Sequence, residues 1–211
     1  MSNELSNEAL QILEYIYQGK NILLHAPGGC GKTFLIKQIA KELENDGMNV
    51  CCTATTGIAA VNLSSAGLAT STVHSWAGIG MGKDSKEKLF GQVSASKKHT
   101  LNWTACSLLI IDEISMMGAS LFEKLDYIGK NIRDIFSNND GDSDGDSSPP
   151  FGGLQLLVCG DFLQLAPVND EWVFTSDAWS NIDWQIVTLE TPKRYDDLEY
   201  FSMLKRIRFG K

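Results

Sequence analysis

The sequence predicts an α/β fold in which helices flank a central parallel sheet. Short apolar runs alternate along the chain with longer segments in which apolar residues recur at helical spacing. Two of the short runs are followed closely by acidic residues, Asp112-Glu113 and Asp161. Ligands bind at the carboxyl ends of parallel strands. The acidic residues therefore indicate a ligand site at one edge of the sheet.

The individual elements follow from the apolar pattern. The predicted helices cover residues 7–18, 32–44 and 121–135, and the predicted strands cover 21–25, 48–53, 108–111 and 154–158. Each helix carries apolar side chains three or four positions apart, as Leu35, Ile36 and Ile39 do in the second. Asn45-Asp46-Gly47 predicts the end of that helix, because glycine commonly follows a helix C-terminus.

Composition narrows the class of protein. With 211 residues, of which 43% are hydrophobic, the chain can bury one sizeable core, which excludes a disordered tail and a disulfide mini-protein. A net charge of −8 argues against a surface that coats nucleic acid indiscriminately. Five cysteines without metal-binding spacing indicate reduced thiols. We expect a soluble intracellular protein without a membrane span, with nucleus, mitochondrion, cytoplasm and viral factory left open as its compartment.

A glycine-rich segment between the first strand and the second helix predicts a phosphate site. Its sequence, Ala26-Pro-Gly-Gly-Cys-Gly31-Lys32-Thr33, is that of a Walker A loop, except that Ala26 stands where the pattern has its first glycine. Backbone amides of such a loop face the β-phosphate, the lysine reaches the β- and γ-oxygens, and the Thr33 hydroxyl can hold Mg²⁺. The residues predicted to bind the nucleotide are Gly28, Gly29, Cys30, Gly31, Lys32 and Thr33.

Residues that could hydrolyse the nucleotide follow the later strands. The strand at 108–111 delivers Asp112 to the magnesium shell, while Glu113 can polarise the attacking water. Gln164, just after the last strong strand, could contact the γ-phosphate or that water. Arg194 is a candidate arginine finger, because its planar fork stabilises charge on a transferring phosphoryl group. By itself, Arg194 would be read as a surface arginine.

Taken together, these segments resemble the petite-integration-frequency (PIF) helicases, which are 5′-to-3′ DNA helicases of superfamily one. The resemblance spans nearly the whole chain. It is carried in order by 53–62 (TATTGIAAVN, motif Ia), 71–80 (STVHSWAGIG), 112–116 (DEISM, motif II), 151–155 (FGGLQ) with 160–168 (GDFLQLAPV, motif III), and 204–210 (LKRIRFG, after motif IV). Such an ordered series is far more specific than any one of its members.

The resemblance implies a RecA-like first motor domain that binds ATP and Mg²⁺ and grips single-stranded DNA. It assigns the catalytic roles to Lys32, Glu113, Gln164 and Arg194, the metal to Thr33 and Asp112, and the DNA contacts to Thr56, Gly57, Asn62 and His74. A small wedge domain is expected within 77–102, whose five lysines make it basic. Without the motif series, His74 would be read as a structural histidine; Trp76 is assigned to the core.

Three features depart from the family pattern. Ala9 stands where the family's adenine-reading motif has glutamine, which leaves adenine selectivity open. Tyr195 stands where the family follows its motif IV arginine with glutamine, which leaves the contact beside Arg194 open. The chain stops at Lys211, so the second RecA-like domain is expected to be missing from a fragment of a longer protein.

Residues 138–150, with four Asp and two Gly, predict a flexible acidic loop. A calcium-binding loop has glutamate at its twelfth position, where this chain has Phe151, which argues against a calcium site.

Three functions remain open at this point. The first is an ATP-dependent DNA helicase motor fragment, acting on single-stranded DNA and junctions in DNA repair, recombination or telomere maintenance, with unwinding dependent on the missing domain. The second is a stand-alone P-loop ATPase that acts as a switch. The third is a nucleic-acid-binding module whose nucleotide site is degenerate. The oligomeric state is also open.

Overall fold

A six-stranded parallel sheet organises the chain. The computed structural model describes residues 5–136, 148–191, 202–203 and 206–209. The strands are β1 (Asn21–His25), β2 (Val50–Ala54), β3 (Thr70–Thr72), β4 (Leu108–Asp112), β5 (Gln155–Gly160) and β6 (Trp184–Thr188). They lie in the order β3-β2-β4-β5-β1-β6, and every pairing is parallel. The carboxyl ends of β1, β4 and β5 are therefore neighbours in the middle of the sheet.

Helices connect the strands and cover both faces of the sheet. They are α1 (Asn7–Tyr17), α2 (Lys32–Asn45), α3 (Gly57–Ser65), α4 (Val73–Ala77), α5 (Lys86–Ser94), α6 (Lys97–Ala105), α7 (Ala119–Phe136) and α8 (Asp177–Ser180). The strands and helices predicted from the apolar pattern are confirmed to within two residues at each end. Most of the predicted acidic loop, residues 138–147, lies outside the described residues.

The core consists of two apolar clusters, one on each face of the sheet. The first cluster packs α1, α2 and α3 against strand residues such as Leu24 and Ile110. The second packs the four helices from α4 through α7 against strand residues such as Leu109 and Ile111. Successive strand residues point to opposite faces, so a strand covered on both sides must be apolar throughout. All five residues of β4 are buried, which explains its unbroken apolar run.

The expected wedge segment contains α5 and most of α6. Its buried residues Leu89 and Val93 belong to the same cluster as the α7 core, and the indole N–H of Trp103 donates to the Ala77 carbonyl at 3.2 Å. Trp76 is buried in that cluster, as the sequence predicts. None of the five cysteines forms a disulfide bond. In the described part of the chain, no helix is both long and apolar enough to cross a membrane.

Replacing either of two helical glycines by alanine should change the stability of the protein, in opposite directions at the two positions. A β-carbon added at Gly129 in α7 would lie 2.9 Å from the carbonyl oxygen of Phe151, whereas one added at Gly91 in α5 would meet nothing within 4 Å. Alanine gains about 1 kcal/mol of helix propensity over glycine. We therefore expect Gly91→Ala to raise the free energy of unfolding by roughly 0.5–1 kcal/mol.

Gly129→Ala should destabilise the protein, because its new β-carbon would overlap the backbone of Phe151. Backbone cannot move aside as a flexible side chain can. We expect this variant to lower the free energy of unfolding by about 1–2 kcal/mol despite the same gain in propensity. Urea denaturation followed by circular dichroism measures both variants. Stabilisation by Gly129→Ala would show that α7 and the turn at Pro150–Gly153 do not pack as closely as described.

Candidate nucleotide-binding site

The glycine-rich loop connects β1 to the start of α2. Gly29 and Gly31 have φ values of 85° and 84°, in the left-handed region that strains other residues. Gly31 precedes α2 and supplies no side-chain cap, so the first amide groups of this helix are left for a ligand. Ala26 is buried, is not left-handed, and donates its N–H to the Gly160 carbonyl at 3.1 Å. Alanine is thus accommodated where the Walker pattern has glycine.

Lys32 lies between Asp112, the last residue of β4, and Glu113, which follows it. Its Nζ is 2.8 Å from Glu113 Oε1 and 3.1 Å from Asp112 Oδ1. Burial lowers the pKa of Lys32, but the attraction of Asp112 and Glu113 outweighs it, so the pKa of this ammonium is raised. Burial raises the pKa of Asp112, although Lys32 opposes the effect. The structure therefore brings together the lysine of the loop and both acidic residues predicted to act with it.

A strained backbone orients Glu113. Its φ of 56° is unusual for a residue other than glycine and is held by two hydrogen bonds. Its carbonyl accepts from the Thr55 hydroxyl at 2.9 Å, and its N–H donates to Asp112 Oδ1 at 2.9 Å. Thr55 follows β2, so neighbouring strands jointly position this carboxylate.

These groups line a cavity of about 540 Å³ at the carboxyl edge of the sheet. Its volume is in the range of small-molecule sites. The lining residues are Pro27, Gly28, Gly29, Gly31, Lys32, Thr33, Phe34, Ala59, Asn62, Asp112, Glu113 and Gln164. Glycine backbone, a cation and hard oxygen donors thus face one space, which fits a nucleotide phosphate chain.

The same cavity offers ligands of the kind that Mg²⁺ prefers. Thr33 and Asp112 both line it, and magnesium typically takes one or two protein oxygens, such as a hydroxyl or a carboxylate, together with phosphate oxygens and water. Within the described ranges, no cluster of three or more His, Cys, Asp or Glu side chains could hold a metal ion.

A second cavity of about 330 Å³ adjoins the first. The two share Ala59, Asn62, Glu113 and Gln164, and the second is completed by Thr56, Ile58, Ser115, Met116 and Leu165. The Ser115 hydroxyl is buried there without a hydrogen-bond partner. The phosphate site is therefore connected to the beginning of α3 by a continuous set of side chains.

The residues assigned to DNA lie at two places. Thr56 caps α3, where its side chain accepts from the Ala59 N–H, and exposed Gly57 opens that helix. His74 lies in α4, and burial lowers its pKa, which keeps the imidazole neutral near pH 7. The two helices begin after adjacent strands whose last residues, Ala54 and Thr72, are paired. Asn62, in contrast, lines the nucleotide cavity.

The lysines of the 77–102 segment are exposed, but two of them have partners within the protein. Lys88 pairs with Asp84 at 2.8 Å, and Lys86 lies 4.8 Å from the ring centre of Tyr127. Exposed pairs of this kind contribute little to stability. A role of these lysines in binding DNA stays a prediction.

One predicted site residue cannot be placed, and one contact was missed. Arg194 lies outside the described residues. Arg208, which belongs to the segment 204–210, lies at the carboxyl ends of β1 and β5, where its Nη2 is 2.7 Å from Asp161 Oδ1 and 3.0 Å from His25 Nε2. Asp161 is fully buried. A buried carboxylate needs a counter-charge. The position of Asp161 shortly after an apolar strand is therefore the signal in the sequence that could have prompted a search for a distant cation.

The chain is similar to known proteins along nearly its whole length. The model of the PIF1-like helicase family matches residues 4–201. Among curated relatives, the ATP-dependent DNA helicase PIF1 of Saccharomyces cerevisiae is 36% identical over 98% of this chain, which covers 23% of that protein. PIF1 of Danio rerio is 35% identical over the whole chain, which covers 31% of that relative, and human PIF1 is 34% identical over 99%, covering 30%.

Solved structures show the same relationship. The Pif1 helicase of Candida albicans superposes with a TM-score of 0.84 at 35% identity, over 98% of this chain and 44% of that one. Pif1 helicase from Bacteroides in complex with ADP-AlF3 and single-stranded DNA gives 0.77 at 26% identity, over 99% and 47%. The parallel sheet flanked by helices is thus the RecA-like fold of these proteins. The chain spans less than a third of the length of the curated relatives described and under half of both solved chains.

Proposed function

Because the chain belongs to the PIF1-like helicase family, we propose that it is the first motor domain of an ATP-dependent DNA helicase. In this role it binds and hydrolyses MgATP and grips single-stranded DNA during 5′-to-3′ translocation. The observation that carries the proposal is the position of Lys32, held between Asp112 and Glu113 beside a glycine-rich loop with free helix amides. This arrangement suits a phosphate chain with a bound divalent cation.

Binding is assigned to the loop and to the groups around it. The amides from Gly28 to Gly31, including that of Cys30, cradle the β-phosphate, and Lys32 turns from the carboxylates to the β- and γ-oxygens. Thr33 and Asp112 hold Mg²⁺, which supplies neutralisation of phosphate charge when it is bound. Asn62, from its place in the cavity wall, faces the nucleotide as well as the DNA side.

Hydrolysis is assigned mainly to Glu113 and Gln164, which line both cavities. Once Lys32 has moved to the phosphates, the Glu113 carboxylate is free to accept a proton from the attacking water. The Gln164 amide contacts the γ-phosphate or that water, and Arg194 is proposed to stabilise the transferring phosphoryl group. Positioning and charge stabilisation dominate such reactions, which is why the fixed backbone of Glu113 matters.

DNA binding is assigned to the starts of α3 and α4. The amides in the first turn of α3 at Gly57 can donate to a DNA phosphate, while the Thr56 hydroxyl already caps that helix and supports its shape. His74, neutral because of burial, is suited to a hydrogen bond rather than an ionic contact. Since Asn62 and Glu113 line the connected cavities, binding of DNA at α3 can be sensed at the nucleotide.

The proposal extends to what a longer protein would do. The curated relatives are considerably longer than this chain, and we infer that unwinding requires a second motor domain, which completes the nucleotide cleft. The proposed partners are single-stranded DNA and DNA junctions, in an intracellular setting of DNA repair, recombination or telomere maintenance. A solved relative is described as acting at forked double-stranded DNA, which supports junctions as substrates.

Gly57→Asp is a test that separates DNA binding from folding. Gly57 is the first residue of α3, and a β-carbon there would meet nothing within 4 Å. An acidic residue in the first turn of a helix is favourable, so the variant should fold at least as stably as the unaltered chain. If a DNA phosphate binds here, the new charge should weaken binding of a labelled oligothymidine by about tenfold or more, through repulsion and loss of close approach.

Ser64→Asp is the matched control, because it adds the same charge at the far end of the same helix, where the residue is exposed. Fluorescence anisotropy at fixed salt gives the affinities, and thermal unfolding confirms the fold. Equal affinities of Gly57→Asp and the control would contradict the DNA assignment. Absence of DNA binding by the unaltered chain would instead favour a stand-alone ATPase.

A further inference from the structure

Arg208 joins the ends of two central strands next to the phosphate loop. His25 ends β1 and is paired with Gly160, the last residue of β5; Asp161 follows directly. The Arg208 guanidinium contacts both ends, through His25 Nε2 at 3.0 Å and Asp161 Oδ1 at 2.7 Å. Only 14% of the Arg208 side chain is exposed, which is unusual for arginine and marks the contact as specific.

Asp161 links Arg208 to Gln164, because its carboxylate accepts hydrogen bonds from both side chains. Its Oδ2 accepts from the Gln164 amide nitrogen at 2.9 Å, and its Oδ1 also accepts from the Leu163 N–H at 3.1 Å. A carboxylate can only accept hydrogen bonds, so it must face the NH2 group of the glutamine and not its oxygen. The second N–H of that group remains available for another acceptor.

The amide nitrogen of Gln164 is directed toward the phosphate loop. A β-carbon built on Gly28 would lie 3.6 Å from it, and both residues line the nucleotide cavity. An N–H at this position can donate to a phosphate oxygen, whereas a flipped amide would present its oxygen and repel one. The orientation of one amide therefore decides whether Gln164 attracts or repels the end of the phosphate chain.

Arg208 maintains the state of Asp161 on which this orientation depends. Burial raises the pKa of Asp161, but hydrogen bonds from Arg208 and Gln164 outweigh it and lower the pKa, so the carboxyl is ionised at neutral pH. Burial lowers the pKa of His25, which leaves it neutral and able to accept from Arg208. Without the arginine, Asp161 would be a buried charge without a cation, and a protonated carboxyl could donate to the glutamine oxygen and reverse the amide.

We propose that Arg208 is a positioning residue, which holds Asp161 so that the NH2 group of Gln164 faces the terminal phosphate. Arg208 itself does not touch the nucleotide. The inference rests on the proposed ATP site and adds to it a specificity for the γ-phosphate that depends on a residue of the C-terminal segment. Binding of ADP, which has no terminal phosphate, should be nearly independent of Arg208.

The test compares two ligands of the full chain, MgADP and MgADP with aluminium fluoride, which occupies the place of the γ-phosphate. Isothermal titration gives both affinities for Arg208→Ala. We expect the aluminium fluoride complex to bind about 10- to 100-fold more weakly, and MgADP less than about threefold, as for loss of one hydrogen bond to a charged group. Arg206→Ala removes the same charge from an exposed position two residues away and should change neither affinity.

A double-mutant cycle tests whether Arg208 influences ligand discrimination through Gln164. If Arg208 acts through Gln164, the variant with both Arg208→Ala and Gln164→Ala should discriminate between the two ligands no worse than Gln164→Ala alone. Arg208→Lys, which keeps a cationic donor beside Asp161, should recover most of the discrimination. Losses that add in the double variant would overturn the proposal, because they would show that Arg208 acts independently of the amide.

The remaining outcomes are also decisive. An Arg208→Ala chain that binds both ligands with an unchanged ratio overturns the positioning role but leaves the nucleotide site intact. An unaltered chain that binds neither ligand overturns the proposed function and this inference with it. If Arg208→Ala does not fold, Arg208→Gln keeps a neutral donor on a shorter side chain, and we expect it to weaken the aluminium fluoride complex by about 3- to 10-fold relative to MgADP.

Discussion

Replacement of Lys32 by methionine is expected to weaken MgATP binding by about 30- to 150-fold, equivalent to 2–3 kcal/mol for a lost charged hydrogen bond. Lys32 is the cation that lines the phosphate cavity, and methionine keeps the length of its side chain without the charge. Titration with a fluorescent ATP analogue in excess Mg²⁺ measures the change. Lys41→Met removes the same charge from an exposed position further along α2 and should bind as the unaltered chain does.

The same variant should also be less stable without nucleotide. Asp112 and Glu113 lose the ammonium group that lies within 3.1 Å of each, and Asp112 is buried. Because Glu113 is partly exposed and can turn toward water, we expect a cost of about 1–3 kcal/mol in the free energy of unfolding. Urea denaturation without ligand measures it. MgATP binding unaffected by Lys32→Met would contradict the assignment of this loop and support a degenerate nucleotide site.

Glu113→Gln is expected to reduce phosphate release from MgATP by about 100- to 10,000-fold, the usual contribution of a general base. Glutamine has nearly the same shape and can keep the strained backbone that Thr55 holds, but it cannot accept the proton of the attacking water. Binding of MgATP should be preserved or somewhat tighter, because Lys32 no longer has to leave an ion pair with Glu113.

Phosphate release is measured with and without single-stranded oligonucleotide, together with the affinity for MgATP. Glu44→Gln is the control, since it removes the same charge from an exposed position near the far end of α2. A loss of hydrolysis with unchanged affinity supports the role of Glu113 as the base. Equal phosphate release by Glu113→Gln and the control would contradict it, and reduced affinity would indicate that Glu113 binds the nucleotide instead.

The sequence predicts those parts of the fold that depend on local pattern. The loop at 26–33 could be located because glycine backbone and a lysine must occur together, between a strand and a helix, to bind phosphate. Asp112 and Asp161 could be placed at one edge because each follows an apolar strand and parallel strands end at the same side. The core position of Trp76 was also predicted correctly.

Other features depend on contacts between distant parts of the chain. β3 has only three residues, and buried and exposed positions do not alternate regularly in β6, so the apolar pattern of the sequence does not reveal either strand. The pairing of Arg208 with Asp161 joins residues 47 positions apart, which no local pattern reveals. Asn62, assigned to DNA from its motif, lines both the nucleotide cavity and the adjoining cavity at the start of α3, a placement that depends on tertiary packing.

The contact of Lys32 with two carboxylates also determines how ligands of this site depend on one another. Lys32 supplies the positive charge that Asp112 and Glu113 need when no nucleotide is bound. A phosphate chain that draws Lys32 away leaves both carboxylates without a counter-ion, unless a divalent cation is held by Thr33 and Asp112. Nucleotide and cation should therefore bind with positive cooperativity, and by thermodynamic reciprocity each raises the affinity for the other by the same factor.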